Sequence, residues 1–147
     1  LRVGLIVTTY NWKEALDRCL ESVSFQSRPP NEVLVADDGS RPDTATVVER
    51  WAKQLRMPVK HIWQEDRGFR KCAAVNKAVA AASGDYLVIV DGDMILHRHC
   101  IADHLAAARP GCFVQGVRAL TGPETARRLL ARELSAAGFF TRDLTRR

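Results

Sequence analysis

The sequence predicts an α/β fold of three layers, a mostly parallel sheet flanked by helices, and two patterns carry that expectation. Short apolar, β-branched runs alternate with helix-length segments from the first residues onward. Strands joined by helices of this length pair in parallel through right-handed crossovers. The second pattern is polar: Thr8 to Asn11, Asp37 to Ser40, Asp66 to Gly68 and Asp91 to Asp93 each follow an apolar run. Ligands of open parallel sheets bind beyond the carboxyl ends of the strands. The four clusters are therefore expected to converge on one edge.

Taken in order, residues 3–7 read as a strand that ends in the loop signal Thr8-Thr9-Tyr10-Asn11. Ala15, Leu16, Cys19, Leu20 and Val23 recur at helical spacing until Arg28-Pro29-Pro30 stops the helix. Residues 33–36 form the next strand, closed by Asp37-Asp38-Gly39-Ser40. A second helix over about 43–55 buries Val47, Val48 and Trp51, and Pro58 precedes a third strand at 59–63. The third helix spans about 69–82 and is ended by Ser83-Gly84. Residues 86–90 are the fourth strand. Beyond it, 101–108 predicts a helix, 112–117 a strand and 123–137 an amphipathic helix carrying Leu129, Leu130 and Leu134 beside Arg127, Arg128 and Arg132.

With 147 residues, 46% hydrophobic and 27% charged, the chain matches one globular domain able to bury a core. Residues 1–120 read as that domain and 121–147 as a basic amphipathic helix and tail. No run is long and apolar enough for a signal peptide or a membrane span, which predicts a cytoplasmic location or a soluble domain whose anchors lie elsewhere. The net charge of +5 favours anionic partners. Nucleic acid is not expected, because the arginines are dispersed and aromatics make up only 7% of the chain. Cys19, Cys72, Cys100 and Cys112 include no Cys-x-x-Cys pair, so buried free thiols are expected rather than zinc or disulfides. His97-Arg98-His99, with Cys100 and His104, lacks the matching distal pair of a zinc site.

Asp91-Gly92-Asp93 places two carboxylates at the end of a buried strand, where they repel each other unless something cationic lies between them. A hard divalent metal carrying a diphosphate fits that demand; a plain turn, which also favours Asp and Gly, is the alternative. The neighbouring clusters favour the metal.

Val7-Thr8-Thr9-Tyr10-Asn11, Val35-Ala36-Asp37-Asp38-Gly39-Ser40, Gln64-Glu65-Asp66-Arg67-Gly68 with Asn76-Lys77-Ala78, and Val90-Asp91-Gly92-Asp93 together resemble the successive motifs of family 2 glycosyltransferases of the GT-A fold. The resemblance runs from residue 1 to about 120 and implies a Rossmann-like GT-A sheet that binds a nucleoside-diphosphate sugar. It implies nucleotide contacts from Thr8, Tyr10, Asp38, Asp66, Arg70, Asn76 and Asp91, with Asp38 accepting from a uracil-like base. It also implies that Asp91 and Asp93 hold Mn²⁺ or Mg²⁺. The expected reaction is inverting transfer, with a UDP-sugar as the expected donor and an envelope glycan or lipid as acceptor.

Other roles stay open for several of these residues. Asp38 can be a turn former, Tyr10 can turn its ring to the core, and Arg70 with Lys71 can form a solvated helix face. Asp37 reads as structural, capping loop backbone. Asn76 is a poor helix former inside a helix, so its side chain has a structural or a ligand-binding job. The last helix either packs on the sheet or lies on an anionic membrane, at the inner face of the plasma membrane.

Inversion needs a base for the acceptor hydroxyl, and Glu124, Glu133 and Asp143 lack the sequence surroundings the family gives it. The chain is accordingly expected to be the donor half of a longer enzyme, C-terminally incomplete. A non-catalytic nucleotide-binding or regulatory module of the same fold is the alternative. Receiver and phosphatase-like folds need acidic residues after the first strand, and nucleotidyltransferases need a Gly-rich loop there; Thr8-Thr9-Tyr10 is neither.

Overall fold

A computed structural model describes residues 1–137 and 139. Their elements follow in the order β1 (Val3–Thr9), α1 (Lys13–Ser24), β2 (Glu32–Asp37), α2 (Pro42–Gln54), β3 (Val59–Trp63), α3 (Lys71–Ala81), β4 (Tyr86–Asp91), α4 (Cys100–Ala107) and α5 (Pro123–Leu130). The strands pair entirely in parallel in the order β3-β2-β1-β4. The expected three-layer α/β architecture is thus observed.

β1 and β2 lie inside the sheet and are buried along their whole length, which is why they read as unbroken apolar runs. On one face Val3, Leu5, Val7, Val33 and Val35 pack against Leu16, Cys19, Leu20 and Val23 of α1 and Val48 and Trp51 of α2, joined by Ile101 of α4. Burying each large aliphatic side chain contributes about 1.5–3 kcal/mol. On the other face Ile6, Leu34 and Ala36 meet Ala74 and Ala78 of α3. Those two alanines let α3 approach the sheet closely.

The chain leaves β1 toward β2 and β3, then returns through α3 to β4 on the far side of β1. Right-handed crossovers put helices made in opposite directions on opposite faces. α3 therefore lies across the sheet from α1 and α2, and the direction reverses between β1 and β4. That gap is the switch point where open sheets take ligands.

Two of the expected elements differ from what forms. Residues 112–117 form no strand: Phe113 and Val117 are 89% and 101% exposed. An apolar run becomes a strand only where a neighbour takes its backbone N–H and C=O groups, and no described strand pairs with it. The last helix ends at Leu130 instead of running to 137, because Arg132 adopts a left-handed backbone with φ 61°. From there the Arg132 guanidinium reaches the buried Asp17 carboxylate at 2.5 Å. Arg18, Arg50 and the Trp51 indole N–H bond the same carboxylate. Leu129 and Ala136 are buried, so α5 packs on the body of the domain. Phe140, Arg146 and Arg147 of the predicted basic tail lie outside the described residues.

Candidate functional site

The carboxyl ends of all four strands meet through side-chain bonds. At the switch point the Thr8 hydroxyl donates to Asp91 Oδ1 at 2.9 Å, tying β1 to β4. Gly92 makes that closure possible, since a Cβ there would stand 2.4 Å from the Thr8 carbonyl oxygen. Lys71, the first residue of α3, donates its ammonium to the same Asp91 oxygen. The Lys71 bond, opposed by partial burial and assisted by Thr8, holds the Asp91 carboxyl below its ordinary range. No hydrogen bond or ion pair engages Asp91 Oδ2 or the exposed Asp93 carboxylate among the described residues.

The second half of the site is built around Asp38, which is 5% exposed. Its Oδ2 accepts the Arg70 backbone N–H at 2.7 Å and its Oδ1 accepts Gln64 Nε2 at 2.6 Å. The β2 loop is thereby joined to the start of α3. Gln64 Oε1 is buried with no partner among the described residues, a cost of about 1–3 kcal/mol. Asp66 accepts the Tyr10 hydroxyl at 3.0 Å and the Gly68 N–H at 3.1 Å. That bond links the loops after β1 and β3 at the mouth of the site, with the Tyr10 ring 52% exposed. Tyr10 therefore does not enter the core.

A layer beneath fixes these loops. Asp37 is fully buried, accepts the Ser40 N–H at 2.8 Å and meets His61 Nε2 at 2.8 Å. Burial raises its carboxyl pKa, but the His61 and Ser40 bonds prevail and lower it below the usual value. Asp37 is structural, as its place in the motif suggested. Asn11, in the left-handed region with φ 48°, donates its N–H to Ser40 Oγ and accepts the Arg41 N–H. The β1 and β2 loops are clipped together in this way.

Of the residues singled out from sequence, Thr8 and Asp91 meet directly, as do Tyr10 and Asp66. Asp38 meets Arg70 through the backbone. The Arg70 guanidinium makes no ion pair among the described residues. Asn76 is exposed on α3, and no hydrogen bond links it to the cluster. Sequence reasoning missed Gln64 and left Lys71 undecided. The Gln64 bond to Asp38 and the Lys71 bond to Asp91 span 26 and 20 residues, and no local signal announces such contacts.

The donor set available to a cation is Asp91 and Asp93. Among the described residues no group of three His, Cys, Asp or Glu side chains could hold a metal. Two hard carboxylates with open oxygens fit Mg²⁺ or Mn²⁺ that draws its remaining ligands from phosphate and water. The histidines are engaged elsewhere: His99 with Ser27 at 2.7 Å, His104 with Tyr86 at 3.2 Å, and His97 in a ring contact with His99.

Comparison with known proteins agrees with this architecture. The family model for glycosyl transferase family 2 matches residues 5–147. The chain is 34% identical over 107 residues to validoxylamine A glucosyltransferase of Streptomyces hygroscopicus subsp. limoneus, covering 71% of the chain and 23% of that protein. It is 34% identical over 93 residues to chondroitin synthase of Pasteurella multocida, covering 63% of the chain and 9% of that protein. Among solved structures, the mannosyltransferase PcManGT from Pyrobaculum calidifontis, in complex with GDP-Man and Mn²⁺, superposes with a TM-score of 0.65 at 29% identity. That match covers 87% of the chain and 38% of PcManGT. S. aureus TarS 1-349 in complex with UDP gives a TM-score of 0.59 at 27% identity, covering 72% of the chain and 31% of TarS 1-349. The chain thus spans a minor part of each of these relatives. With its parallel sheet, its reversal between β1 and β4 and these matches, the chain belongs to glycosyl transferase family 2 and has the GT-A fold.

Proposed function

We propose that this chain supplies the donor site of an inverting sugar transfer, binding a nucleoside-diphosphate sugar, with UDP as the nucleotide, together with Mn²⁺ or Mg²⁺. The observation that carries the reading is the switch-point constellation: among the described residues Asp91 Oδ2 and Asp93 stay open, and the Lys71 ammonium is bonded to the other Asp91 oxygen. Support also comes from the relatives, since TarS was solved with UDP and with UDP-GlcNAc and PcManGT with GDP-Man and Mn²⁺.

In this reading Asp38 accepts a ring N–H of the base, and Tyr10 offers its exposed ring as a flat surface beside it. Thr8 contributes its backbone and hydroxyl next to the ribose. Lys71 and Arg70, at the start of α3, attract diphosphate oxygens, helped by the free N–H groups of the helix N-terminus. Asp91 and Asp93 would hold the metal, which when bound neutralises the departing diphosphate as a Lewis acid. Glu124 and Glu133 are both tied to Arg127, so neither is assigned as the base. Asp143 lies outside the described residues.

The acceptor is proposed to be an envelope glycan or lipid, by analogy with the chondroitin synthase relative. Cytoplasmic action at the inner face of the membrane belongs to the same proposal. No described helix is long and apolar enough to cross a membrane. Leu129 of α5 is buried, so any contact with anionic lipid would rely on charge rather than on an apolar face. One observation favours the second reading, a non-catalytic nucleotide-binding module: Lys71 already neutralises Asp91.

Calorimetry with UDP, with and without Mn²⁺, separates the two. The donor-site reading expects Mn²⁺ to tighten UDP binding at least about tenfold and Asp93→Asn to abolish that gain, a change of about 1.4 kcal/mol or more. Metal-independent binding of UDP favours the module.

A further inference from the structure

We infer that Gln64 is the positioning residue for base selection: its amide fixes the Asp38 carboxylate as an acceptor, so the site takes a base with a ring N–H and refuses one with a bare ring nitrogen. The inference rests on the donor-site reading and deepens it.

Gln64 and Asp38 are 4% and 5% exposed, so neither side chain can exchange its partner for water freely. Gln64 Nε2 donates to Asp38 Oδ1 at 2.6 Å and to the Arg70 carbonyl oxygen at 3.2 Å. Both contacts are acceptors, which decides the orientation of the amide. Turned over, its oxygen would face a carboxylate oxygen and a carbonyl oxygen. The orientation it keeps leaves Oε1 buried and without a hydrogen-bond partner among the described residues. A glutamine that merely filled space would be under no such constraint; this one holds a donor on Asp38 while its own oxygen goes without.

The Arg70 backbone N–H restrains the other Asp38 oxygen at 2.7 Å. Each carboxylate oxygen has two acceptor sites, so Asp38 stays able to accept after both bonds are made, but it cannot rotate without breaking one. The neighbouring Gly39 lets the Asp66 backbone close against this loop, since a Cβ there would lie 2.6 Å from it. An immobile acceptor pairs with the N3–H of uracil and opposes the N3 lone pair of cytosine. Glutamine suits the position, since its two N–H groups match the two acceptors it faces and a glutamate would repel Asp38.

UDP and CDP share ribose and diphosphate and differ in this feature of the base. The test is calorimetry of both nucleotides with Mn²⁺ on the wild type, Gln64→Met, Asp38→Ala and the double variant, each checked for an unchanged thermal transition. The wild type is expected to prefer UDP at least about tenfold. Gln64→Met should bring that preference to within about threefold of unity, by weakening UDP while CDP stays within about twofold. In the Asp38→Ala background the Gln64 change should alter UDP binding by less than about twofold, because one residue acts through the other. Should Gln64→Met fail to fold, Gln64→Glu keeps the size and is expected to lose the preference as well.

Equal weakening of UDP and CDP, or effects of the two substitutions that multiply, would overturn the inference. A wild type that binds both nucleotides equally would overturn it while leaving the donor site standing. A wild type that binds neither would remove both.

Discussion

Gly39 occupies a position where no side chain fits. Its φ is +98°, and an added Cβ would lie 2.6 Å from the Asp66 backbone nitrogen and Cα. Gly39→Ala is expected to destabilise the domain by about 1–3 kcal/mol, read in urea unfolding, and to weaken UDP binding by displacing the Asp66 loop. Cys19 gives a second prediction. Burial, helped by the negative charge of Asp93 and Asp91, pushes its thiol up to about 12, whereas Cys72 and Cys112 are exposed. Alkylation at pH 8 should therefore modify Cys72 and Cys112 quickly and Cys19 only on unfolding, as peptide mass mapping would show. The expectation of buried thiols holds for Cys19 and fails for the exposed Cys72 and Cys112, while burial raises the thiol of the half-buried Cys100.

At the level of elements, α5 is fastened by charge as well as by Leu129. Arg132 reaches Asp17, whose side chain is 9% exposed, from a left-handed backbone that glycine would adopt more easily. Asp17→Asn leaves Arg18, Arg50 and Arg132 without their common carboxylate and is expected to cost about 3–5 kcal/mol. Arg132→Gly relieves the backbone but releases the segment, so hydrogen exchange should rise across α5 while the sheet stays protected.

The same elements show where sequence reading ends. β1 to β4 and α1 to α3 were legible within a few residues, because their periodicity and their breakers are local. Residues 112–117 carry the composition of a strand, but strand formation depends on a partner elsewhere in the chain. The pattern over 123–137 predicts a longer helix than forms, because nothing local reveals that Arg132 turns out of it toward Asp17. In the site the acidic residues could be read at the strand ends, whereas the bonds of Gln64 and Lys71 exist only once the strand ends are assembled.

Across the whole molecule, the base of the sheet is knit by Glu32, which accepts Lys60 of β3 and the Ser83 N–H and hydroxyl before β4. Burial would raise its carboxyl, but these three donors outweigh burial and hold it at about 2 against an ordinary 4.5. Its contribution to stability is complete above pH 4.5 and is lost as the pH falls from there toward 2. Glu32→Gln is expected to remove roughly 2 kcal/mol at pH 7 and to flatten the acid limb of stability in that window, measured by urea titration at successive pH values. The opposite end of the sheet has a different consequence. The Thr8 to Asp91 bond joins residues 83 positions apart, and closing so long a loop is slow and entropically costly. Asp91 thus reaches Thr8, and Asp93 its place beside them, only when β4 zips onto β1, and on the ribosome only after the chain has emerged past them. On the proposed donor-site reading, nucleotide capture would therefore be a late event in folding, one that half-folded chains could not perform.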